Sequence, residues 1–274
     1  MANEIESRRW NDERWTAAWP NREKLTSAVS PHLLRAMAPR KGQRVVDVGC
    51  GGGDTSLSLA QAVGPTGYVV GVDISAALLD LARRRARDAG LPNLTFVEAD
   101  MQTESIGKGP FDVALSQFGV MFFDEPAHAF ANIGRQLRGG GRLVFAAWQE
   151  VGRNPWHIGT ALQPVVTTAP APEPGKSMTG PFSLGEVGHT EGILEGAGFA
   201  HITHTAHEIT VHVPASAIVD PSLLDFMGVP PERLQEALAI IAQHLDRFRV
   251  GADEYRLPLA FNVFEAANPQ GPAG

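Results

Sequence analysis

The sequence predicts an α/β fold with a doubly wound, mostly parallel sheet. Between residues 43 and 148, short apolar runs typical of buried strands alternate with amphipathic stretches at the spacing of strand–helix–strand units. A glycine-rich turn follows the first apolar run, as is common where a strand passes tightly into a helix. The chain has 274 residues, 43% hydrophobic and 19% charged, so it is long and apolar enough to bury a sizeable core.

The predicted elements follow one another in a regular order. Seven apolar or alternating segments predict strands at 44–48, 67–72, 94–99, 111–116, 142–148, 200–213 and 256–266. Apolar residues at helical spacing predict helices at 22–37 with an interruption at Pro31, 54–63, 75–89, 126–137, 185–197 and most of 214–249. Asp54 or Thr55 is expected to cap the helix after the glycine turn, and residues 139–141 are expected to form a turn into the fifth strand.

We expect one domain in three parts. Residues 1–40 would form an N-terminal helical lid, 41–150 the ligand-binding core, and 151–274 a lid, a helical insert and the last strands, which would shape the rest of the site. Six prolines predict little regular structure in the segment 150–182, namely Pro155, Pro164, Pro170, Pro172, Pro174 and Pro181. The final residues, 268–274, are expected to fray.

Composition excludes several classes of partner and site. The 23 Lys and Arg residues and the 30 Asp and Glu residues give a net charge of −7, which argues against non-specific binding to nucleic acid or to an anionic membrane. Cys50 is the only cysteine, so an internal disulfide and a cysteine-rich metal site are excluded, and we expect no metal. The polar start and the lack of a long apolar run predict a cytoplasmic protein without a signal peptide or membrane span.

The segment VVDVGCGGGDTS, residues 45–56, carries the most specific signal. A dinucleotide-binding loop would read G-x-G-x-x-G, but Asp54 stands at the third glycine position when the count begins at Gly49. The segment instead fits D-x-G-x-G-x-G at Asp47, Gly49, Gly51 and Gly53. An acid facing the loop would repel a pyrophosphate, so the pattern favours a ligand that carries positive charge.

Two further acids follow the next two predicted strands. Asp73 ends the second strand, 73 − 53 = 20 residues past Gly53, where a carboxylate can accept hydrogen bonds from both hydroxyls of a ribose. Asp100 ends the third strand, and its side chain can accept from an adenine amine while Met101 packs on the ring. Because ligands of open α/β sheets bind beyond the carboxyl ends of the strands, we expect the acids and the glycine turn to share one site.

In this order, the three motifs resemble those of the class I S-adenosylmethionine-dependent methyltransferases over residues 40–150. FDVALSQFGVMFFDEP, residues 111–126, and LRGGGRLVFAAW, residues 137–148, are similar to that family's fourth strand and its glycine-rich turn into the fifth. Residues 180–184 and 193–199 are similar, more weakly, to small-molecule members of the ubiquinone and menaquinone biosynthesis type. The resemblance implies a Rossmann-like sheet of seven strands with the last strand antiparallel.

The resemblance also implies S-adenosyl-L-methionine as cofactor and S-adenosyl-L-homocysteine as product. The implied cofactor-binding residues are Asp47, Gly49, Gly51, Gly53, Asp73, Ile74, Asp100, Met101, Ser116 and Gln117. The three glycines would line the methionine part and Asp73 would hold the ribose. Asp100 with Met101 would hold the adenine, while Ser116 and Gln117 would lie near the reacting sulfonium.

Missing motifs narrow the methyl acceptor to a small molecule. Residues 116–119 read SQFG, where enzymes that methylate amines of nucleic-acid bases carry N/D-P-P-Y/F. Cytosine C5 enzymes need a Pro-Cys nucleophile, which the single cysteine does not supply. The candidate substrate-binding residues are Trp10, Trp15, Phe118, Met121 and Phe122. Ordinary packing is the alternative for each of them, and it is the favoured interpretation for Trp19.

The sequence does not identify a catalytic base. Methyl transfer from a sulfonium mainly requires alignment and exclusion of water, so a base is optional. His157 and His189 flank the proline-rich segment and are candidate bases, each with a surface or capping role as the alternative. Four further histidines fall on both faces of one predicted strand, which is not the pattern of a metal site: His201, His204, His207 and His212.

The predicted function is therefore transfer of a methyl group from S-adenosylmethionine to an O, N or C atom of a small, apolar or aromatic metabolite. Two alternatives stay open, a non-catalytic S-adenosylmethionine-binding module and a nicotinamide-dependent oxidoreductase. The expected partner is the small-molecule acceptor, with no nucleic acid and no membrane, and a homodimer is left open.

Overall fold

The computed structural model describes residues 4–166 and 179–269, and their strands form one seven-stranded sheet in the order β3-β2-β1-β4-β5-β7-β6. The strands are β1 Arg44–Val48, β2 Tyr68–Asp73, β3 Leu94–Glu98, β4 Phe111–Gln117, β5 Leu137–Trp148, β6 Ala200–Pro214 and β7 Glu254–Ala267. Strands β1 to β5 are parallel, while β7 runs antiparallel to both β5 and β6. The predicted fold class, including the antiparallel last strand, is confirmed.

Helices precede, connect and follow the strands. They are α1 Glu4–Trp10, α2 Glu13–Thr26, α3 Ser30–Met37, α4 Asp54–Val63, α5 Ala76–Asp88, α6 Pro126–Gln136, α7 Ile158–Leu162, α8 Val187–Gly196 and α9 Leu234–Leu245. Helices α4 and α5 pack against β2 and β3, whereas α3 packs against β4, β5 and β7. The central strands are consequently buried along most of their length, as their continuous apolar runs predict. In the described ranges, no helix has the length and apolar character needed to cross a membrane.

Strand β6 forms one edge of the sheet, and its side chains are mostly exposed. Three of its four histidines are exposed and His207 is partly buried, stacked on Phe261 with ring centroids 5.0 Å apart. The interpretation of this segment as a solvated strand is therefore confirmed.

Two local predictions were wrong, and a third was confirmed in part. The segment 22–37 is divided, as the interruption at Pro31 predicts, but the break lies earlier: α2 ends at Thr26, a 3₁₀ turn follows and α3 begins at Ser30, with Pro31 in its first turn where the missing N–H costs nothing. Neither Asp54 nor Thr55 caps α4, whose N-cap is Gly53 in the left-handed region at φ 84°. Residues 139–141 lie within β5, which pairs irregularly with β4, and do not form a separate turn.

The insert at 214–249 combines 3₁₀ turns with α9, in partial agreement with the predicted helices. In the proline-rich segment the described residues include a 3₁₀ turn at Val151–Arg153 and the short helix α7. The predictions for Pro170, Pro172 and Pro174, and for the tail beyond residue 269, lie outside the described residues.

A buried amide fixes the start of this segment to the sheet. Asn154 is fully buried, and its Nδ2 donates to the carbonyl oxygen of Ala260 at 2.9 Å while its Oδ1 accepts from the Ala260 N–H at 3.0 Å. The same Oδ1 accepts from the indole N–H of Trp156 at 3.3 Å. The side chain of Asn154 thus links β7 to Trp156, which lines the main cavity of the molecule.

We expect Asn154→Ala to lower the free energy of unfolding by about 1–3 kcal/mol, because the N–H of Ala260 and the indole N–H of Trp156 lose their buried acceptor. Urea denaturation measures the change. The control is Gln61→Ala, which removes an exposed amide from α4 and should leave stability nearly unchanged. Equal stability of the two variants would show that Asn154 does not anchor this segment.

Candidate active site

A cavity of about 290 Å³ opens at the carboxyl ends of the central strands, the edge at which ligands of open α/β sheets bind. Its walls come from the ends of β1, β2 and β4, the residues after β3, helix α2 and the segment after β5. The three acidic residues predicted from the sequence, Asp47, Asp73 and Asp100, all line it. The structure therefore brings the separate motifs into one site.

The glycine turn needs glycine at two positions. Gly49 has φ 69°, and a Cβ there would lie 2.7 Å from the Cα of Gly119. Gly51 has φ 52°, and a Cβ there would lie 2.3 Å from the indole ring of Trp19. Both the backbone conformation and the close approach of neighbouring atoms exclude a larger residue. Gly49 lines the cavity, whereas Gly51, which was also predicted to line it, is covered by the ring of Trp19.

Asp73 connects the end of β2 to this turn. Its Oδ2 accepts from the Gly51 N–H at 2.7 Å and its Oδ1 from the Ser75 N–H at 2.9 Å. Burial raises the pKa of Asp73, and the backbone donors at Gly51, Ser75 and Ile74 oppose that shift. A carboxylate has about four acceptor positions, so with these backbone donors at least one remains for a ligand in the cavity.

Asp100 carries a buried acceptor that the protein does not satisfy. Its Oδ1 accepts from the Gln102 N–H at 2.9 Å, whereas its Oδ2 is buried without a hydrogen-bond partner among the described residues. Beside it, the thioether sulfur of Met101 receives a weak contact from Nε2 of Gln136 at 3.7 Å. A buried acceptor without a hydrogen bond raises the free energy of the unliganded protein. A ligand that donates to Oδ2 would remove this desolvation cost and would therefore be favoured.

Asp47 lies beneath the turn and is almost completely buried. Its Oδ2 accepts from the hydroxyl of Ser56 at 2.6 Å, yet burial raises its pKa to about 7, with a smaller contribution from the negative charge of Asp73. Burial also raises the pKa of the neighbouring Cys50 thiol, which keeps it protonated and agrees with a packing role. The site thus holds excess negative charge at low solvent exposure, which favours a cationic ligand.

Four other predicted cofactor residues differ in their placement. Ile74 lines the cavity. Gln117 lines it too, but its amide is engaged with the hydroxyl of Ser30 at 2.8 Å and the carbonyl oxygen of Thr26 at 3.2 Å. Ser116 is fully buried away from the cavity wall and accepts from the Gly119 N–H at 3.2 Å. Gly53 faces α5, where a Cβ would lie 2.8 Å from that of Ala82.

The N-terminal helices cover the cavity with three tryptophans, Trp10, Trp15 and Trp19. Trp10 lies 4.9 Å from Trp15 and 6.2 Å from Trp19, measured between ring centroids. The indole N–H of Trp19 donates to Glu23 at 2.6 Å, and Glu23 pairs with Arg85 of α5 at 2.7 Å. The ring of Trp19 packs against the glycine turn, in agreement with the favoured interpretation as packing, and it also lines the cavity.

The other half of the cavity is apolar and aromatic. Phe118, Met121 and Phe122, which the sequence suggested as a pocket floor, all line it. Phe118 adopts φ 64°, an uncommon conformation for a residue with a side chain, and its ring stacks on Trp148 with centroids 4.0 Å apart and planes 12° apart. Sequence analysis missed Trp148, although its position at the end of a predicted strand was a usable signal.

The two candidate bases lie in different places. His157 lines the cavity, its Nδ1 is buried without a partner among the described residues, and its ring meets that of Phe182 edge-on at 4.7 Å. Burial lowers the pKa of His157 to about 4, and the positive charge of Arg22 adds to the shift. His189 is exposed in the first turn of α8 and does not line the cavity, so its selection as a candidate base was wrong.

Comparison with known proteins gives one family match. Residues 45–141, which carry the glycine turn and all three acids, match the methyltransferase domain family. This is the same part of the chain in which the motif resemblance was found.

Three relatives have known activities. Aklanonic acid methyltransferase DauC of a Streptomyces species is 33% identical over 42% of this chain and 52% of its own length. Nocamycin O-methyltransferase of Saccharothrix syringae is 26% identical, with 69% of this chain and 70% of that protein aligned. Demethylmenaquinone methyltransferase of Lactococcus lactis is 30% identical over 40% and 44%, so the chain spans about half the length of the first and third relatives.

Among solved structures, the YcgJ protein of Bacillus subtilis superposes with a TM-score of 0.60 at 16% identity, covering 88% of this chain and 98% of that one. At this identity the likeness concerns the fold. Residues 45–141, which hold the glycine turn and the three acids, are similar to methyltransferase domains, and the relatives named above are methyltransferases. In its fold and in this segment the chain is therefore similar to the class I S-adenosylmethionine-dependent methyltransferases.

We expect His157 to make protein stability depend on pH. Its folded-state pKa of about 4 lies below the ordinary value of 6.5, so between these values the unfolded chain binds more protons. The neutral ring contributes stability that is fully present above pH 6.5 and is lost as the pH falls towards 4. The difference in unfolding free energy between wild type and His157→Gln should therefore change across this window.

Urea denaturation at half-unit pH steps measures that difference, and His189→Gln provides an exposed control on α8. A wild-type-to-His157→Gln difference that stays constant from pH 4 to 6.5 would contradict the assignment of a buried neutral ring.

Proposed function

We propose that the protein transfers a methyl group from S-adenosyl-L-methionine to an O, N or C atom of a small molecule bound in the aromatic half of the cavity. The observation that carries this proposal is the buried, unpartnered Oδ2 of Asp100, because it requires a donor such as the amine of adenine. The family match and the names of the three relatives support the same conclusion.

The residues fit the cofactor along its whole length. Asp100 and Met101 would hold the adenine, and the free acceptor positions of Asp73 would take the ribose hydroxyls. The uncovered backbone at Gly49 admits the methionine part, while the negative charge around Asp47 suits its ammonium and sulfonium groups. Ser116 and Gly53 would act behind the site by supporting the backbone of the fourth strand and of the turn.

When bound, S-adenosylmethionine supplies a methyl group on a positively charged sulfur. The contribution of this chain is to align an acceptor with that group and to keep water away. The stacked pair of Phe118 and Trp148 and the tryptophan cover of α1 and α2 provide an apolar enclosure in which positive charge can be dispersed at low cost. The neutral His157 can hydrogen-bond a hydroxyl or amine of the acceptor through its unpartnered Nδ1 and so orient it, while its pKa of about 4 makes it a weak proton acceptor.

An aromatic or otherwise flat acceptor suits the walls of this half best. The ring of Trp148 contacts two other aromatic rings of the wall. It stacks on Phe118, and it meets Trp156 at an interplanar angle of 71° with centroids 5.5 Å apart. The relatives that act on aklanonic acid and demethylmenaquinone support a small-molecule acceptor. Incubation of the protein with labelled S-adenosylmethionine and a metabolite extract should give a labelled small-molecule product.

We expect Asp73→Asn and Asp100→Asn each to weaken the binding of S-adenosylhomocysteine at least about tenfold, equivalent to about 1.4 kcal/mol. In the Asp73→Asn variant the amide oxygen can still accept from Gly51, but the side chain lacks the charge that favours the ribose donors. In the Asp100→Asn variant the amide oxygen would stay with Gln102, which turns the NH₂ group towards the adenine amine, so two donors face each other. Isothermal calorimetry measures the affinities.

Asp80→Asn is the matched control, since Asp80 is exposed on α5 and pairs with Arg83 away from the cavity. No heat from wild-type protein with either S-adenosylmethionine or S-adenosylhomocysteine would overturn the proposed function. Saturable quenching or enhancement with NADH in its place would favour the oxidoreductase alternative, and cofactor binding without any labelled product would favour a binding module.

We also expect cofactor binding to release protons near pH 7. The pKa of Asp47 is about 7 in the free protein, and a cation placed beside it lowers that pKa, so the protonated fraction of the carboxyl ionises on binding. Calorimetry of S-adenosylmethionine binding in buffers of different ionisation enthalpy counts these protons. Release should be smaller in Asp47→Asn, and a release of the same size in both proteins would show that Asp47 does not sense the ligand.

A further inference from the structure

Arg22 stands out on the inward face of helix α2. This face carries Trp15, Ala18 and Leu25, spaced three to seven residues apart, and all three side chains are buried. Arg22 falls on the same stripe, between Ala18 and Leu25, and lines the main cavity. A cationic side chain at a position that otherwise belongs to the core calls for a physical reason.

The guanidinium of Arg22 has few partners. It donates one hydrogen bond, from Nη1 to the carbonyl oxygen of Ile218 at 3.0 Å, and lies over the ring of Trp15 at 5.2 Å from the centroid. No carboxylate of the described residues lies within 4 Å of it. The acid that acts on it from a distance, Asp220, is hydrogen-bonded to the backbone and hydroxyl of Ser222. Most of the five N–H donors of Arg22 are therefore unused.

Other arginines on this side of the molecule show the contrast. Arg14, near the start of α2 at its outer end, pairs with both Asp12 and Asp225. Arg85 pairs with Glu23 at 2.7 and 2.8 Å. Among these three cations, Arg22 alone is left without a carboxylate in the described structure. It is partly buried, and even partial removal of a charge from water without an opposite charge is costly.

The neighbours of Arg22 place it in the acceptor half of the cavity. It contacts Trp15 and Ile218. Its positive charge also lowers the pKa of His157, which lines the cavity. The side chains that contact the glycine turn, by contrast, are those of Trp19, Glu23 and Arg85. The side chains of α2 that contact the glycine turn, Trp19 and Glu23, are thus different from the one that contacts Ile218 and acts on His157.

We propose that Arg22 determines acceptor specificity by binding a carboxylate of an aromatic acid, so that the methyl acceptor enters as an anion. This inference rests on the proposed function and narrows its substrate class. A carboxylate matches the planar fork of a guanidinium, and the flat ring system of the acid would lie among Phe118, Trp148 and Trp156. The pair would be shielded from water by the tryptophan cover, which strengthens the attraction.

The test uses matched acids and amides as probes. Benzoate, 2-naphthoate and anthracene-2-carboxylate, each with its primary carboxamide, are titrated into full-length protein saturated with S-adenosylhomocysteine at pH 7, with calorimetric detection. At least one carboxylate should bind ten times or more tightly than its amide. Arg22→Met, which keeps the length and loses the charge, should abolish this preference, and Arg22→Lys should restore part of it.

Arg83→Met is the control, because Arg83 is exposed on α5 and pairs with Asp80 outside the cavity. The affinity for S-adenosylhomocysteine, measured in every variant, should be unchanged in Arg22→Met. A large loss there would overturn the proposal by showing that Arg22 holds the cofactor. The proposal is equally overturned if no carboxylate binds in preference to its amide, or if the preference survives in Arg22→Met.

Failure of the proposed function is distinguishable from failure of this inference. If the wild-type protein binds no S-adenosylhomocysteine, the proposed function fails, and the same acids and amides titrated without it still report whether Arg22 selects an anion. If S-adenosylhomocysteine binds and the acids do not, only the assignment of Arg22 fails.

Discussion

The attachment of the glycine turn to the end of β2 is the constraint on which the site depends. The N–H groups of Gly49 and Cys50 both donate to the carbonyl oxygen of Val72, at 2.8 and 3.0 Å, and the following N–H, from Gly51, donates to Asp73. Two neighbouring strands are thereby joined just beyond their carboxyl ends. The N–H groups of Gly49 and Cys50, the two residues of the turn that line the cavity, are thus satisfied from the side of β2.

The remaining parts of the site are built around this junction. Gly119, after β4, approaches Gly49 so closely that neither could carry a side chain, which brings Phe118 and its stacked partner Trp148 next to the turn. On the opposite side, Trp19 lies on Gly51 and is held by Glu23, which is in turn fixed by Arg85. The cavity is thus defined by close contacts to glycine backbone on both sides.

Charge is divided between the two halves of the cavity. Asp47, Asp73 and Asp100 lie in the half that suits a cationic nucleoside, whereas Arg22 lies in the other half beside a histidine that burial keeps neutral. Opposite charges in separate halves would orient two different ligands in one enclosure, one carrying a sulfonium and the other an anion. The net charge of −7 gives no indication of this separation of acidic and basic side chains within the cavity.

Much of the core and the cofactor half could be predicted from the sequence. Strands such as β2 are mostly apolar runs, and Asp73 and Asp100 are recognisable because Asp73 ends β2 and Asp100 follows β3 by two residues. The exact place of the break in the segment 22–37, the contact of Trp19 with the glycine turn and the position of Arg22 could not be predicted, since they depend on how α2 docks across the finished sheet. Ser116 was misjudged for a related reason: alternation along β4 turns its side chain inward, towards the backbone of Gly119.

The central claim is that the buried carboxylate of Asp100 receives the amine of an adenine. Calorimetry comparing S-adenosylhomocysteine with S-inosylhomocysteine tests it directly, because inosine replaces the amine donor with a carbonyl acceptor and the N1 acceptor with an N–H, while the sugar and the homocysteine stay the same. The account predicts at least about tenfold weaker binding of the inosine compound, since two acceptors would then face each other in a buried site. Equal affinity for the two compounds would contradict it.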